Sequence, residues 1–191
     1  MSRRLPFEIG NYYHIYNRGA NKGAIFSNHG EYIYFLRKMK QYLTGLEMVC
    51  YCLMPNHYHM VLRSISENAI SRFILRLSTS YTQTMNLKYE RSGVLFQGTF
   101  KAKCISSQEG MLHVCRYVHL NSCVASLVIH PDEWPYSNWH EFTGRRMGSL
   151  YSPSFLQMLH DLKINYRSFV LGQLANGGLD SFVQPYIFNE E

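Results

Sequence analysis

The sequence predicts an α+β fold of the ferredoxin-like, split β-α-β kind: an antiparallel sheet with helices on one face, followed by a C-terminal helical extension. Three observations carry that prediction. Strand-like and helix-like segments alternate in the order β-α-β-β-α-β before a further helix. A continuous apolar run, residues 48–54, meets an alternating one, residues 57–63, across the two-residue turn Pro55-Asn56. Two helix-start residues, Asn28 and Ser106, each stand three positions before a glutamate, Glu31 and Glu109, which is the spacing of a capping box.

Taken in order, Tyr12-Tyr13-His14-Ile15-Tyr16-Asn17 is rich in aromatic and β-branched residues and reads as the first strand. The basic stretch Arg18-Gly19-Ala20-Asn21-Lys22-Gly23 fits either a phosphate-holding loop or a plain connection. The first helix covers 31–43, where Tyr32, Phe35, Leu36, Met39 and Leu43 recur at helical spacing; Arg37, Lys38 and Lys40 fall on the solvated side, and Gly45 closes it. In the hairpin that follows, a two-residue turn sets Cys52 opposite His59 and Cys50 opposite Val61. The longest helix covers 71–91, striped by Phe73, Ile74, Leu77, Tyr81 and Met85 and ended by Gly93. Residues 94–105 read as the last strand, with Lys101 and Lys103 on one face, either to grip a phosphodiester chain or to blunt a sheet edge.

From Ser106 a helix runs through Met111, Val114, Cys115 and Val118, whose apolar face must rest on the sheet. Tyr117 and Asn121 project together along the edge of that face, with His113 one turn earlier. Residues 130–137 form an aromatic loop that tucks back on the domain, and a helix over 155–174 includes Leu156, Leu159, Leu162 and Tyr166. The main domain is expected over residues 1–150 and the extension over 151–191; the order of its last stretch, with Gly177, Gly178, Pro185 and Glu190-Glu191, is left open.

Composition narrows the function classes. With 191 residues, 46% hydrophobic and 17% charged, the chain is globular and long enough for a real core. A net charge of +6 points to an anionic partner, nucleic acid first, and the 15 tyrosines and 11 phenylalanines suit stacking on unpaired bases as well as core packing. No apolar run approaches the ~20 residues needed to span a bilayer. The start Met1-Ser2-Arg3-Arg4-Leu5-Pro6 lacks a signal-peptide core, so a cytoplasmic protein is expected, without a membrane partner. Five cysteines with no Cys-x-x-Cys pair argue for reduced thiols.

The chemistry centres on the hairpin. His57 and His59 alternate on one strand and so share a face, about 7 Å apart at Cβ, near enough for both imidazoles to converge on one metal ion. A strand with one wet face also accommodates histidines without any metal. Cys50, Cys52, His57 and His59 form a rival zinc set, although Cys-x-Cys is tighter than usual structural zinc spacing and a flat hairpin spreads the ligands poorly for a tetrahedron. A non-catalytic nucleic-acid binder of the same fold is the alternative to an enzyme.

Four segments in this order carry a resemblance: Tyr13-His14-Ile15-Tyr16-Asn17-Arg18-Gly19, Met54-Pro55-Asn56-His57-Tyr58-His59, Gly93-Val94-Leu95-Phe96-Gln97-Gly98 and Arg116-Tyr117-Val118-His119-Leu120-Asn121. They resemble the single-tyrosine HUH (His-hydrophobic-His) transposases with an IS200-like domain, most closely the REP-associated tyrosine transposase branch. The resemblance implies Tyr117 as nucleophile and His57, His59 and Asn121 as ligands of Mg²⁺ or Mn²⁺. It also implies nicking and rejoining of single-stranded DNA through a 5′-phosphotyrosine link, next to a hairpin. Arg18, Lys101 and Lys103 are the candidate DNA contacts, and a monomer is expected over a homodimer. Where the branch commonly continues Asn-Pro-Val-Arg-Ala, this chain has Asn121-Ser122-Cys123-Val124-Ala125, a departure that bears on which DNA is read rather than on the core chemistry.

Overall fold

Four strands, β1 (Tyr12–Arg18), β2 (Leu46–Met54), β3 (His57–Ser64) and β4 (Lys101–Ile105), form one antiparallel sheet in the order β2-β3-β1-β4. The computed structural model describes residues 7–176. The readings made of residues 1–6 and 177–191 lie outside the described residues. As the β-α-β-β-α-β order requires, the first and third strands are central. Helices α1 (His29–Tyr42) and α2 (Ala69–Lys88) cover one face, where Ile15, Tyr58, Met60 and Leu62 of the sheet meet Phe35, Met39, Phe73, Leu77 and Tyr81. Each such side chain, fully buried, stabilises the fold by about 1.5–3 kcal/mol relative to leaving it in water.

The start of α1 follows its capping signal. The Asn28 side chain accepts from the Glu31 amide, while the Glu31 carboxylate accepts from the Ser27 amide at 2.7 Å and from Lys88 at 2.6 Å, so it also ties α1 to the end of α2. Helix α3 (Gln108–Val124) lies on the opposite face of the sheet, with Val114, Cys115 and Val118 packed among Val49, Cys50, Cys52, Met54 and Val61. Its cap is Ser107, whose Oγ accepts from the Gly110 amide at 3.0 Å, one residue beyond the expected Ser106. Ile105 is still in the strand, and Ser106 is spent on the link.

The strand read over 94–105 is shorter than its pattern. Only its last five residues pair as β4; residues 94–100 form a loop that closes over the end of β1, with Leu95 and Phe96 buried in the α1–α2 core. The Gln97 amide donates to the Arg18 carbonyl at 2.8 Å, the Ala20 amide donates to Leu95, and Gly98 turns the chain at a φ of +61°. The stretch after β1 has the backbone amides of Gly19, Ala20, Lys22 and Gly23 all donating to backbone carbonyls, which leaves its side chains rather than these amides to meet a phosphate. It grips the hairpin turn: Pro55 accepts from the amides of Ile25 and Phe26, and Asn56 accepts from Gly19. Only glycine fits at 19, where a Cβ would stand 2.0 Å from the Gly23 carbonyl oxygen.

Residues 130–137 do tuck back, along the outer edge of β2. Trp134 donates its indole N–H to the Leu53 carbonyl at 3.0 Å, and the Leu53 amide donates to Tyr136 at 2.9 Å, which covers an otherwise open sheet edge. The short helix α4 (Trp139–Phe142) follows. The helix read over 155–174 is two helices, α5 (Pro153–Asp161) and α6 (Tyr166–Asn176), separated where Lys163 takes a φ of +53°. Phe155, Leu159, Tyr166 and Val170 pack in the same cluster as α3. All five cysteines are free thiols, and among the described residues no helix is long and apolar enough to cross a membrane.

Candidate active site

The face of the sheet beneath α3 collects the polar groups. The turn at Pro55-Asn56 has two residues, so Met54 pairs with His57, Cys52 with His59 and Cys50 with Val61, as the hairpin reading requires. On the neighbouring central strand, Arg18 pairs with His57 and Tyr16 with His59, which puts Tyr12, His14, Tyr16 and Arg18 on the histidine face. Strand β4 continues the row, with Lys101 beside Tyr16 and Lys103 beside His14. Helix α3 crosses above and presents Tyr117 and Asn121 one turn apart. The seven residues singled out in the sequence, Arg18, His57, His59, Lys101, Lys103, Tyr117 and Asn121, therefore meet on one side of the molecule.

The contacts are close. The Tyr117 ring packs edge-on against His59 at 5.5 Å and His14 at 6.2 Å between centroids. Asn121 Oδ1 stands 3.2 Å from His57 Nε2, and Asn56 Oδ1 stands 2.7 Å from His57 Nδ1. Two oxygen acceptors thus face one imidazole that, when neutral, carries a single N–H. Arg18 donates through Nε to the Gln97 side-chain oxygen. His113, one turn before Tyr117, faces away from the site: it meets Arg116 and the ring of Phe169 in α6.

Two groups at the centre were not singled out as site residues, His14 and Tyr16. His14 is fully buried, its Nε2 is 2.9 Å from Nδ1 of His59, and the two ring planes lie within 10° of parallel. Tyr16 packs against both rings. Strand alternation shows that these two share a face, but which face depends on the pairing of β1 with β3, which lies in the strand order rather than in either strand.

Burial keeps His14 and His59 neutral. Burial, with the Lys103 ammonium adding to it, lowers His14 to about 3. Burial, then His57 and His14, hold His59 well below the ordinary histidine value. Tyr16 is raised by burial and by Tyr117. On the far side of α3, burial lowers His119 to about 4; this ring lies 2.8 Å from the Tyr166 hydroxyl and 3.0 Å from Asn138 Oδ1.

A pH dependence of stability follows, with its sign. The unfolded chain takes up these protons near pH 6.5, whereas the folded chain resists them until about pH 4 at His119 and about pH 3 at His14, with His59 held down in the same direction. The stabilisation is therefore complete above pH 6.5 and is lost as pH falls, by about 1.4 kcal/mol per pH unit for each of His14 and His119, with His59 acting in the same direction. Asp132, held down at about 2 by its hydrogen bonds from Arg167 and Trp139 against the opposing effect of burial, loses its contribution only below pH 4 and so stays out of this window. Urea unfolding of the metal-free protein should lose at least about 3 kcal/mol between pH 6.5 and 5. An unfolding free energy that is flat over that interval would contradict it.

A divalent cation fits the donors present. Cis ligands at ~2.1 Å from a hard ion stand about 3 Å apart, close to the 3.2 Å between His57 Nε2 and Asn121 Oδ1. An ion on that side would leave the single imidazole proton for Asn56. The Asn121 Nδ2, buried with no hydrogen-bond partner among the described residues, costs about 1–3 kcal/mol as it stands. The zinc set fails by contrast: among the described residues no three His, Cys, Asp or Glu side chains group as metal ligands. Cys52 donates to the Met54 sulfur at 3.7 Å, and burial raises both Cys50 and Cys52, which keeps them as core thiols.

Known proteins share this sequence pattern and fold. The family model described as "Transposase IS200 like" matches residues 9–121, which take in the sheet, the histidine hairpin and α3 as far as Asn121. Among solved structures the fold resembles that of a REP-associated tyrosine transposase bound to a REP hairpin, at a TM-score of 0.61 and 18% identity, over 81% of this chain and 94% of that one. A candidate transposase from Deinococcus radiodurans R1 aligns at a TM-score of 0.42 and 16% identity, over 62% of this chain and 95% of that one. No curated protein matches the chain. With more than half of its length matched by the family model, the chain belongs to the IS200-like transposases, enzymes of DNA transposition.

Proposed function

We propose that this transposase nicks and rejoins single-stranded DNA, using Tyr117 as nucleophile and a Mg²⁺ or Mn²⁺ ion held by His57, His59 and Asn121. The observation that supports it is the seating of Tyr117 and Asn121, one turn apart on α3, directly over the two histidines. When bound, the cation polarises a non-bridging phosphate oxygen and orients the scissile bond. The Tyr117 oxygen forms a bond to phosphorus as the bond to the 3′ oxygen breaks; the phenolic proton is given up and the departing oxygen leaves as a 3′-hydroxyl. The 5′-phosphotyrosine link conserves the bond, so a second 3′-hydroxyl can reverse the step and join strands. Arg18, Lys101 and Lys103 hold flanking phosphates. By analogy with the hairpin-bound neighbour, the substrate is single-stranded DNA next to a hairpin, and the free thiols suit a reducing cytoplasm.

The test is a denaturing gel of the protein with Mn²⁺ and labelled hairpin-bearing single strands. A covalent adduct that maps to the peptide containing Tyr117 supports the reading; DNA bound without any adduct favours the non-catalytic binder. The ligands also set the metal affinity. Two imidazoles and an amide bring no negative charge, so the ion binds weakly to protein alone and relies on DNA phosphates to complete its shell. A Mn²⁺ titration followed by electron paramagnetic resonance should show about tenfold tighter binding once the single strand is present. Equal affinity with and without DNA would argue against a phosphate-sharing site.

A further inference from the structure

His14 has no role in the chemistry set out above, yet it lies at the centre of the site. It stands on β1 diagonally across from His59, two positions along the strand from Tyr16, which pairs with His59, and both imidazoles are fully buried. Their rings are nearly coplanar neighbours, with His14 Nε2 and His59 Nδ1 2.9 Å apart. One proton lies between these two nitrogens, and its owner decides what the other end of His59 can do. If His14 donates it, His59 carries its own proton on Nε2 and has no lone pair there. If His59 donates it, Nε2 is left as a base.

We propose that His14 is a positioning residue, accepting the Nδ1 proton of His59 and so fixing the His59 ring in the tautomer and orientation that leave Nε2 unprotonated and able to bind the cation. The proposal rests on the metal reading of His57, His59 and Asn121. Histidine ligands usually give their second N–H to a carboxylate, a backbone carbonyl or water. A neutral imidazole does the same work here without adding negative charge beside the ion. His14 is accordingly a support of the ligand and not itself a ligand, since the nitrogen nearest the site is committed to His59.

The proposal predicts a proton location that can be read without activity or metal. In ¹⁵N-resolved histidine spectra of the metal-free protein at pH 7.5, His59 should carry its proton on Nδ1 alone. His14→Phe should leave a mixture of tautomers and lower Mn²⁺ affinity ten- to a hundredfold. His14→Gln, which retains an acceptor oxygen, should restore most of that affinity. A His59 proton found on Nε2 in the wild type overturns the proposal, as does Mn²⁺ affinity unchanged within about twofold in a folded His14→Phe. The underlying metal reading fails separately, if wild type binds no Mn²⁺ or binds it equally well after His59→Ala. The tautomer of wild-type His59 still decides the role of His14 in that event and if His14→Phe does not fold.

Discussion

Tyr117→Phe should lose covalent attachment to DNA by at least about 10⁴-fold while the protein keeps its fold and its affinity for the strand. The substitution removes one oxygen and nothing else. The ring that packs edge-on against His14 and His59 stays in place, so the loss in stability should be within about 1 kcal/mol. In the proposed reading binding is carried by Arg18, Lys101 and Lys103, which the change does not touch. The prediction separates chemistry from recognition: no adduct with unchanged binding identifies the nucleophile, whereas an adduct that persists in Tyr117→Phe would remove Tyr117 from the mechanism and direct attention to Tyr16, the phenol that packs against His14 and His59.

The largest expected effect on stability lies away from the reacting groups, at Asn138. This side chain is fully buried and uses both ends. Its Oδ1 accepts from the Tyr51 amide at 2.8 Å and from His119 Nε2 at 3.0 Å; its Nδ2 donates to the Val49 carbonyl at 2.9 Å and to the Leu150 carbonyl at 3.3 Å. Strand β2 bulges between Met48 and Cys50, and Asn138 supplies the partner that the bulged Val49 carbonyl cannot find in the ladder. Through His119 and the Tyr166 hydroxyl beyond it, the same residue fastens α3 to α6. Asn138→Ala leaves several buried backbone and ring groups without partners, and should cost about 3–5 kcal/mol in urea unfolding, a large share of the stability of a domain this size. A cost under about 1 kcal/mol would mean that water replaces the amide at no penalty. Because His119 shares α3 with Tyr117 and Asn121, adduct formation should also fall at temperatures where Asn138→Ala is still folded.

Much of the site is written in local patterns. A two-residue turn and a strand period of two suffice to pair His57 with His59, and a helical period suffices to pair Tyr117 with Asn121. Local patterns lose their power where a side chain's direction depends on a distant partner. His14 and Tyr16 belong to the site only because β1 lies next to β3 in this register. Residues 94–100 carry a strand-like pattern because Leu95 and Phe96 fill the core, but they fill it from a loop turned at Gly98. The apolar periodicity of 155–174 continues through a break that Lys163 makes in the backbone, and the start at Ser152-Pro153 was the better signal, with Ser152 accepting from the Phe155 amide.

The clamped turn at Pro55-Asn56 bears on which insertions and deletions the gene can tolerate. Three amides from the loop after β1 hold the two turn carbonyls, and His57 follows at once. Because neighbouring strand positions face opposite ways, one codon gained or lost between Met54 and His57 that was absorbed by shifting β3 would rotate both histidines into the α1–α2 core and turn Tyr58 and Met60 towards α3. Apolar content would hardly change, and no catalytic residue would be missing from the translated chain, yet the site would no longer exist. Length at this turn is therefore under as strict a constraint as the identity of the histidines.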